Sequence, residues 1–438
     1  MAETSVRSNS VPMAGATATT TGQASPLLPS SEGIRAASEA FMESSDFNVA
    51  VQNTVGLIPG STSILTVQSV GLGSALDLFV SGTISFTNTG AAAQTISLSP
   101  EFPYSLLKNV LVQVNGQTVI VSCSGYSLLT INAKRYKGFY GARAAGGGTS
   151  NDSQLRCSLD PSIAYVTAGA NVTLNNSSNT GCLTGVSSIT VAANSTGVLN
   201  VGMYLKIPFT LRDDILLGMI PLQNNSVNFT VSFTAPTILG TNANSPCYVS
   251  GGVPATLSNA ANALSIKPTY NFWAIPTPNN PQAYGYFVSN SYILTETSNT
   301  VSTTGSQALK YQMPNNYLLA SLLLTLRDSS GNLLNIPNSI DNPYLNYNNT
   351  AQVDKMDIQT KMAKQSIFYE APATPIGQYL YDMTDVSYLA NGTNTAKWLN
   401  MYLANNPTFI ADVQSGISVP ISYSVLREQI VPAQVQLV

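Results

Sequence analysis

Residues Leu106 to Ser122 read LLKNVLVQVNGQTVIVS, two runs of aliphatic and β-branched residues on either side of Asn115-Gly116. Asn-Gly accepts the positive φ angles of a type I′ turn, whose twist matches that of paired strands, so the stretch predicts a β-hairpin. The same strand-forming character extends outward from it. Leu76, Leu78, Val80, Thr83, Ile84 and Phe86 fall in a run of β formers that ends at Asn88-Thr89-Gly90, and Val198–Leu211 (VLNVGMYLKIPFTL) and Val227–Phe233 (VNFTVSF) follow a long Gly/Asn/Ser-rich excursion. The fold class expected from these segments is all-β.

A second passage repeats the plan. After a Gly/Pro/Asn/Ala-rich link at 236–262 come Leu264–Ile275 and Gly285–Thr295, both read as strands, and then Tyr317–Leu326 (YLLASLLLTL), a Gly331-containing turn and Leu333–Ile336. This order echoes the first hairpin. Trp398–Leu403 and Gly416–Leu426 read as closing strands. The echo predicts two tandem eight-stranded jelly-roll β-sandwiches, with a first domain over 46–262 and a second over 263–438. Residues 1–45 form an arm ending in a helix. The first 30 residues hold few large apolar side chains, and Ile34, Ala37 and Phe41 then fall at helical spacing. A further helix is expected at Thr350–Ser366, in the long loop of the second domain, behind an Asn349/Thr350 cap, with Val353, Met356, Ala363 and Ile367 on one stripe. A shorter helix is expected where Tyr126, Leu129 and Ala133 line up.

Composition narrows the function. Among 438 residues, 9% are charged, the net charge is −3, and there is no histidine. An ordinary chain carries about 25% charged residues, and a mixed charged surface is what keeps free monomers apart, so much of this surface is expected to lie between subunits. The absence of histidine removes Ser-His-Asp and Cys-His nucleophile activation and His-based metal sites. A slightly acidic chain does not collect nucleic acid by counterion release, so no specific nucleic-acid partner is expected. The four cysteines, at 123, 157, 182 and 247, show no C-x-x-C pair and read as free thiols. The N-terminus does not resemble a secretory signal, which points to synthesis and retention in a cytoplasm. No apolar run reaches the roughly 20 residues of a membrane span.

Candidate chemistry is sparse. Asp213-Asp214, Asp354/Asp357 and Asp382/Asp385 are the closest carboxylate pairs, and none sits in a calcium-type loop. Ala144–Ser150 (AAGGGTS) lacks the Gly-Lys-Ser/Thr ending of a phosphate loop. The most informative charged segment gathers Lys134, Arg135, Lys137 and Arg143 with Tyr136, Phe139 and Tyr140. Lys134, Arg135, Lys137, Phe139, Tyr140 and Arg143 are therefore candidate interface residues, against the alternatives of a solvated face or of contact with lipid or nucleic acid. No cofactor, metal or catalytic site is expected.

The arm and helix, the unit LLKNVLVQVNGQTVIV, the pair LNVGMYLKIPFT and VNFTVSFTAP, the proline/glycine link and the passage KMAKQSIFYEAPATPIGQYLYDMTD together resemble the double jelly-roll major capsid proteins of tailless, membrane-containing icosahedral bacteriophages and their adenovirus-like relatives. The resemblance covers about residues 31–430 and is architectural. It departs in a longer first-domain excursion and a longer arm. It implies a non-enzymatic structural protein of the virion, assembled in the host cytoplasm. The unit would be a homotrimer whose six upright sandwiches form a pseudo-hexagonal capsomer, with excursions as outward towers. Implied partners are neighbouring capsomers, minor and vertex capsid proteins, and an internal lipid membrane reached by the arm and by the helix carrying Ile34, Arg35 and Phe41. The alternatives are an extracellular β-sandwich adhesin or carbohydrate-binding protein and, third, a carbohydrate-active enzyme.

Overall fold

The computed structural model describes residues 31–68, 70–135, 164–176, 186–213, 215–222, 227–260, 262–274, 285, 287–347, 352–353, 356–369, 377–382 and 399–432. The hairpin that opened the sequence reading is present. Asn109–Val114 pairs antiparallel with Thr118–Cys123, and Asn115 and Gly116 take φ of 53° and 66° beneath a Gln117 N–H to Val114 C=O bond of 3.3 Å.

The chain is all-β, two jelly-roll sandwiches in tandem. One layer of the first is the sheet Phe47–Val51, Ala263–Trp273, Leu72–Asn88, Ser195–Pro208, Ala164–Ala168, in that spatial order. Opposite lie Thr118–Cys123, Asn109–Val114, Phe229–Thr234 and Thr62–Thr66, and a five-stranded sheet that includes Gln94–Leu98 and Val186–Val191 is built out beyond them. The second sandwich faces Asn290–Val301, Ile421–Pro432, Leu318–Arg327 and Gln378–Asp382 against the four-stranded sheet Gly305–Gln312, Thr408–Val413, Ile340–Asn346, Gln352–Val353. Thr118–Cys123 and Asn290–Val301 pair in parallel at Val121/Leu294 and Ser122/Thr295, so one nine-stranded sheet runs through both sandwiches.

Burial explains why the strands read as they do. Along Leu72–Asn88, Leu76, Leu78, Val80, Ile84 and Phe86 point into the first core, while Asp77, Phe79, Ser81 and Thr83 point out. Leu318–Arg327 is instead apolar without alternation because both of its faces are covered. Leu319, Leu322, Leu324 and Leu326 belong to the second core, whereas Leu318, Ala320 and Leu323 pack with the first.

Several expected elements move. Ala263–Trp273 pairs along its length with Leu72–Asn88, so it belongs to the first sandwich and the boundary expected at 262/263 shifts beyond Trp273. The echo hairpin is reduced to a tight turn with one antiparallel bridge, Arg327 opposite Leu333, closed by the Asp328 N–H to Asn332 C=O bond of 2.9 Å. Leu318–Arg327 pairs with Ile421–Pro432 and Gln378–Asp382, and after a turn at Asp328 the chain enters a short helix at Ile336–Ser339. The loop helix starts later than expected, at Ile358, with the Asp357 carboxylate accepting from the Thr360 N–H at 2.8 Å, and Val353 lies in a strand. The Asn349/Thr350 cap falls outside the described residues.

Candidate assembly surfaces and the domain junction

The helix Gly125–Arg135 stands between the two sandwiches. Residues 125–133 are all buried, and its apolar side chains Tyr126, Leu128, Leu129 and Ile131 all belong to the first core. Its start is tight: a Cβ on Gly125 would lie 2.6 Å from the Tyr104 carbonyl oxygen. Polar groups along the helix tie it to the second sandwich. Glu296 accepts from the Ser124 N–H at 2.7 Å and from the hydroxyls of Ser127 and Ser424 at 3.0 and 2.7 Å. Thr130 donates to the Gln378 side chain, which donates to Thr325 at 3.2 Å.

Lys134 and Arg135 close the helix from inside. Lys134 forms an ion pair with Glu428, whose side chain is 2% exposed and also accepts from Tyr292 and Ser321, each at 2.6 Å. Burial alone would raise Glu428, but the Lys134 ammonium and the bonds from Lys134, Ser321 and Tyr292 outweigh it, holding the carboxyl below its ordinary range. Burial, reinforced by the Glu428 charge, pushes the Tyr292 phenol well up. Arg135 donates to the Leu211 carbonyl at 2.8 Å, meets Asp213 at 3.4 Å and lies 5.6 Å from the centre of the Tyr292 ring. These two residues therefore do not present the exposed basic face that the sequence suggested. Cations at a helix C-terminus also find carbonyls and buried acids within reach, and here that environment prevails. Lys137, Phe139, Tyr140 and Arg143 lie outside the described residues, as does Ala144–Ser150.

At the other end of this helix a cleft of about 700 Å³ opens between the sandwiches, lined among others by Glu101, Lys108, Ser122, Glu296, Arg327 and Tyr423. Its two carboxylates are committed, Glu296 to the bonds above and Glu101 to an ion pair with Arg327. Among the described residues no group of three or more Cys, Asp or Glu side chains is placed to hold a metal ion, and no helix is long and apolar enough to cross a membrane. Cys123 and Cys247 are buried free thiols.

The helix Ser31–Ser44 forms where expected and docks on the first sandwich. Phe41 is 3% exposed, in a cluster with Leu72, Leu216, Met219, Phe287 and Val288, and its ring meets Trp273 edge-on at 6.0 Å. Ser38 accepts from the Leu216 N–H at 3.2 Å. Phe41 is thus turned inward rather than toward a membrane, because that cluster offers it an apolar pocket. The side chains of Ile34 and Arg35 lie outside the described residues. The loop through Leu211 and Leu216 touches both this helix and Arg135.

The exposed large apolar side chains include a group that the sequence reading missed. Phe47, Val49 and Val51 alternate along one face of an edge strand and are 52%, 55% and 82% exposed.

No protein-family model and no curated protein matches the chain. Solved structures do. The major capsid protein of the virus abbreviated STIV is 15% identical, with a TM-score of 0.57 over 88% of this chain and 97% of that one. A chain from the atomic structure of Sulfolobus Turreted Icosahedral Virus is 13% identical, with a TM-score of 0.53 over 88% and 91%. The Faustovirus major capsid protein is 9% identical, with a TM-score of 0.53 over 89% and 91%. The chain thus has the fold of double jelly-roll viral major capsid proteins, across nearly the whole length of each.

Proposed function

We propose that this protein is a major capsid protein of an icosahedral virus. The observation that carries the reading is the tandem pair of sandwiches, whose match to the STIV major capsid protein covers 88% of this chain and 97% of that one. A charge content of 9% and apolar side chains exposed on a sheet edge support burial of this surface between copies. The functional unit is a homotrimer presenting six sandwiches as a pseudo-hexagonal capsomer. It tiles the shell beside minor and vertex capsid proteins and is assembled in the host cytoplasm. It performs no catalysis. The arm before residue 31 faces an internal membrane, and the basic–aromatic residues Lys137, Phe139, Tyr140 and Arg143 contribute to a contact with a partner or a second subunit.

Light scattering at micromolar concentration tests this reading. The expected mass is three times 46.2 kDa, retained in high salt because the contacts are not chiefly ionic. A monodisperse monomer throughout that range overturns it.

A further inference from the structure

Alternation along Phe47–Val51 is inverted. Ala50 packs against the first core, while Phe47, Val49 and Val51 face outward on the open edge of the sheet. In a strand with one face in water, the larger apolar set belongs inside, so this register has a reason only if the outer face is also covered. The register of the neighbouring strands continues the face. Val51 sits opposite Thr269, Thr269 opposite Asp77, Lys267 opposite Phe79, Phe79 opposite Tyr204, and Gly202 opposite Tyr165. Gly202 is required there, because a Cβ at that position would lie 2.1 Å from the Tyr165 ring.

The charges on this face are few. Asp77 accepts from Tyr204 and Asn271, both at 2.8 Å, and Lys206 pairs with Asp213 at 2.9 Å, which leaves Lys267 as the exposed cation. With strands about 4.8 Å apart and a rise of about 3.3 Å per residue, five strands over the nine residues 263–271 give a face of roughly 700 Å². That is close to the ~800 Å² per partner of a specific protein–protein interface. A lipid-binding face carries a basic stripe, whereas this face is aromatic and nearly neutral.

We infer that the outer face of this sheet, from the edge Phe47, Val49 and Val51 across Phe79 to Tyr204 and Tyr165, is the surface on which a second copy of this chain docks. The inference rests on the capsomer reading and names the face through which it is built. Substituting Val49→Asp together with Val51→Asp places two carboxylates in the contact. The oligomer's dissociation constant should rise by on the order of a hundredfold or more, since a buried unpaired charge is strongly unfavourable. The far-UV circular dichroism of the released monomer should match wild type, because both side chains are exposed within one copy. Val419→Asp, at an apolar position 39% exposed in the second sandwich, should leave the oligomer intact. Amine cross-linking of mixed ¹⁴N and ¹⁵N wild-type protein decides the matter without a variant: Lys267 should appear in cross-links between copies. A wild-type oligomer with Lys267 freely modified and no such cross-link overturns the docking face while leaving the capsomer reading standing. A wild-type monomer removes both. Lost binding to anionic vesicles with an unchanged oligomer would assign the face to lipid and also overturn the inference.

Discussion

The two sides of the first sandwich treat charge in opposite ways. On the side toward the second sandwich, Lys134, Arg135, Glu101, Glu296, Arg327 and Glu428 converge around one buried helix. On the outer side, three apolar side chains of an edge strand stand in solvent, and the adjoining sheet holds few charges: Asp77 accepts from Tyr204 and Asn271, Lys206 pairs with Asp213, and Lys267 is exposed. Six charged side chains lie where they set how two sandwiches meet, and the outer face is left nearly neutral. Buried pairs contribute little net energy but penalise every arrangement that separates them, so the junction is specified more than it is strengthened.

Glu428 gives the sharpest break of that comparison. Glu428→Gln leaves the Lys134 ammonium without its carboxylate in a site only 10% exposed, and unfolding in denaturant should show a loss of about 3–5 kcal/mol. Adding Lys134→Met should restore more than half of it. If the single variant is as stable as wild type, the junction is not specified by charge.

Phe41→Ala should cost about 3–5 kcal/mol locally, because it empties a pocket shared with Leu72, Leu216 and Phe287. Hydrogen exchange should rise through Ser31–Ser44 while the amides of Leu72–Asn88 stay protected. Uniform acceleration through both would show that the helix is part of the global unit.

The junction also sets the pH dependence. Glu428 is depressed in the folded state, so its contribution is complete above the unfolded value of about 4.3 and is lost as pH falls through the lower folded value. Tyr317 is pushed up to about 12, chiefly by burial, so its contribution is complete below about 10 and is lost between 10 and 12. With no histidine to titrate between these limits, the melting temperature should be flat from about pH 5.5 to 9. A step near pH 6.5 would contradict this.

The smallest effect belongs to the outer face. Val49→Ser with Val51→Ser should change the stability of the isolated monomer by no more than about 0.5 kcal/mol per site, measured by denaturant titration under dissociating conditions. A larger loss would mean that these valines belong to the fold rather than to a contact.

How far the sequence could be read depended on how local each signal was. Asn115-Gly116 between two strand runs is complete within about 17 residues, and its turn formed as expected. The run Tyr317–Leu326 was legible as a strand, but its lack of alternation concealed two burial partners, the second core and the first. Leu264–Ile275 read as a strand of the second sandwich, whereas Ala263–Trp273 pairs with Leu72–Asn88 in the first, since alternation carries no information about which distant strand will pair with it. Lys134 and Arg135 read as a surface because their side chains are long and charged, and their buried acceptors, Glu428 and the Leu211 carbonyl, lie far away in the sequence.

The sequence by itself determined an all-β chain, two sandwiches in tandem, a leading helix, and a composition poor in charge. These follow from period, turn chemistry and composition, which are properties of short windows or of the whole. The tertiary structure alone decided that the basic end of one helix turns inward, that Phe41 faces its own domain, and that Phe47, Val49 and Val51 face out. A strand's alternation states which residues share a face. Which of its two faces meets the core is settled by the register with strands more than two hundred residues away, here Phe47 opposite Trp273.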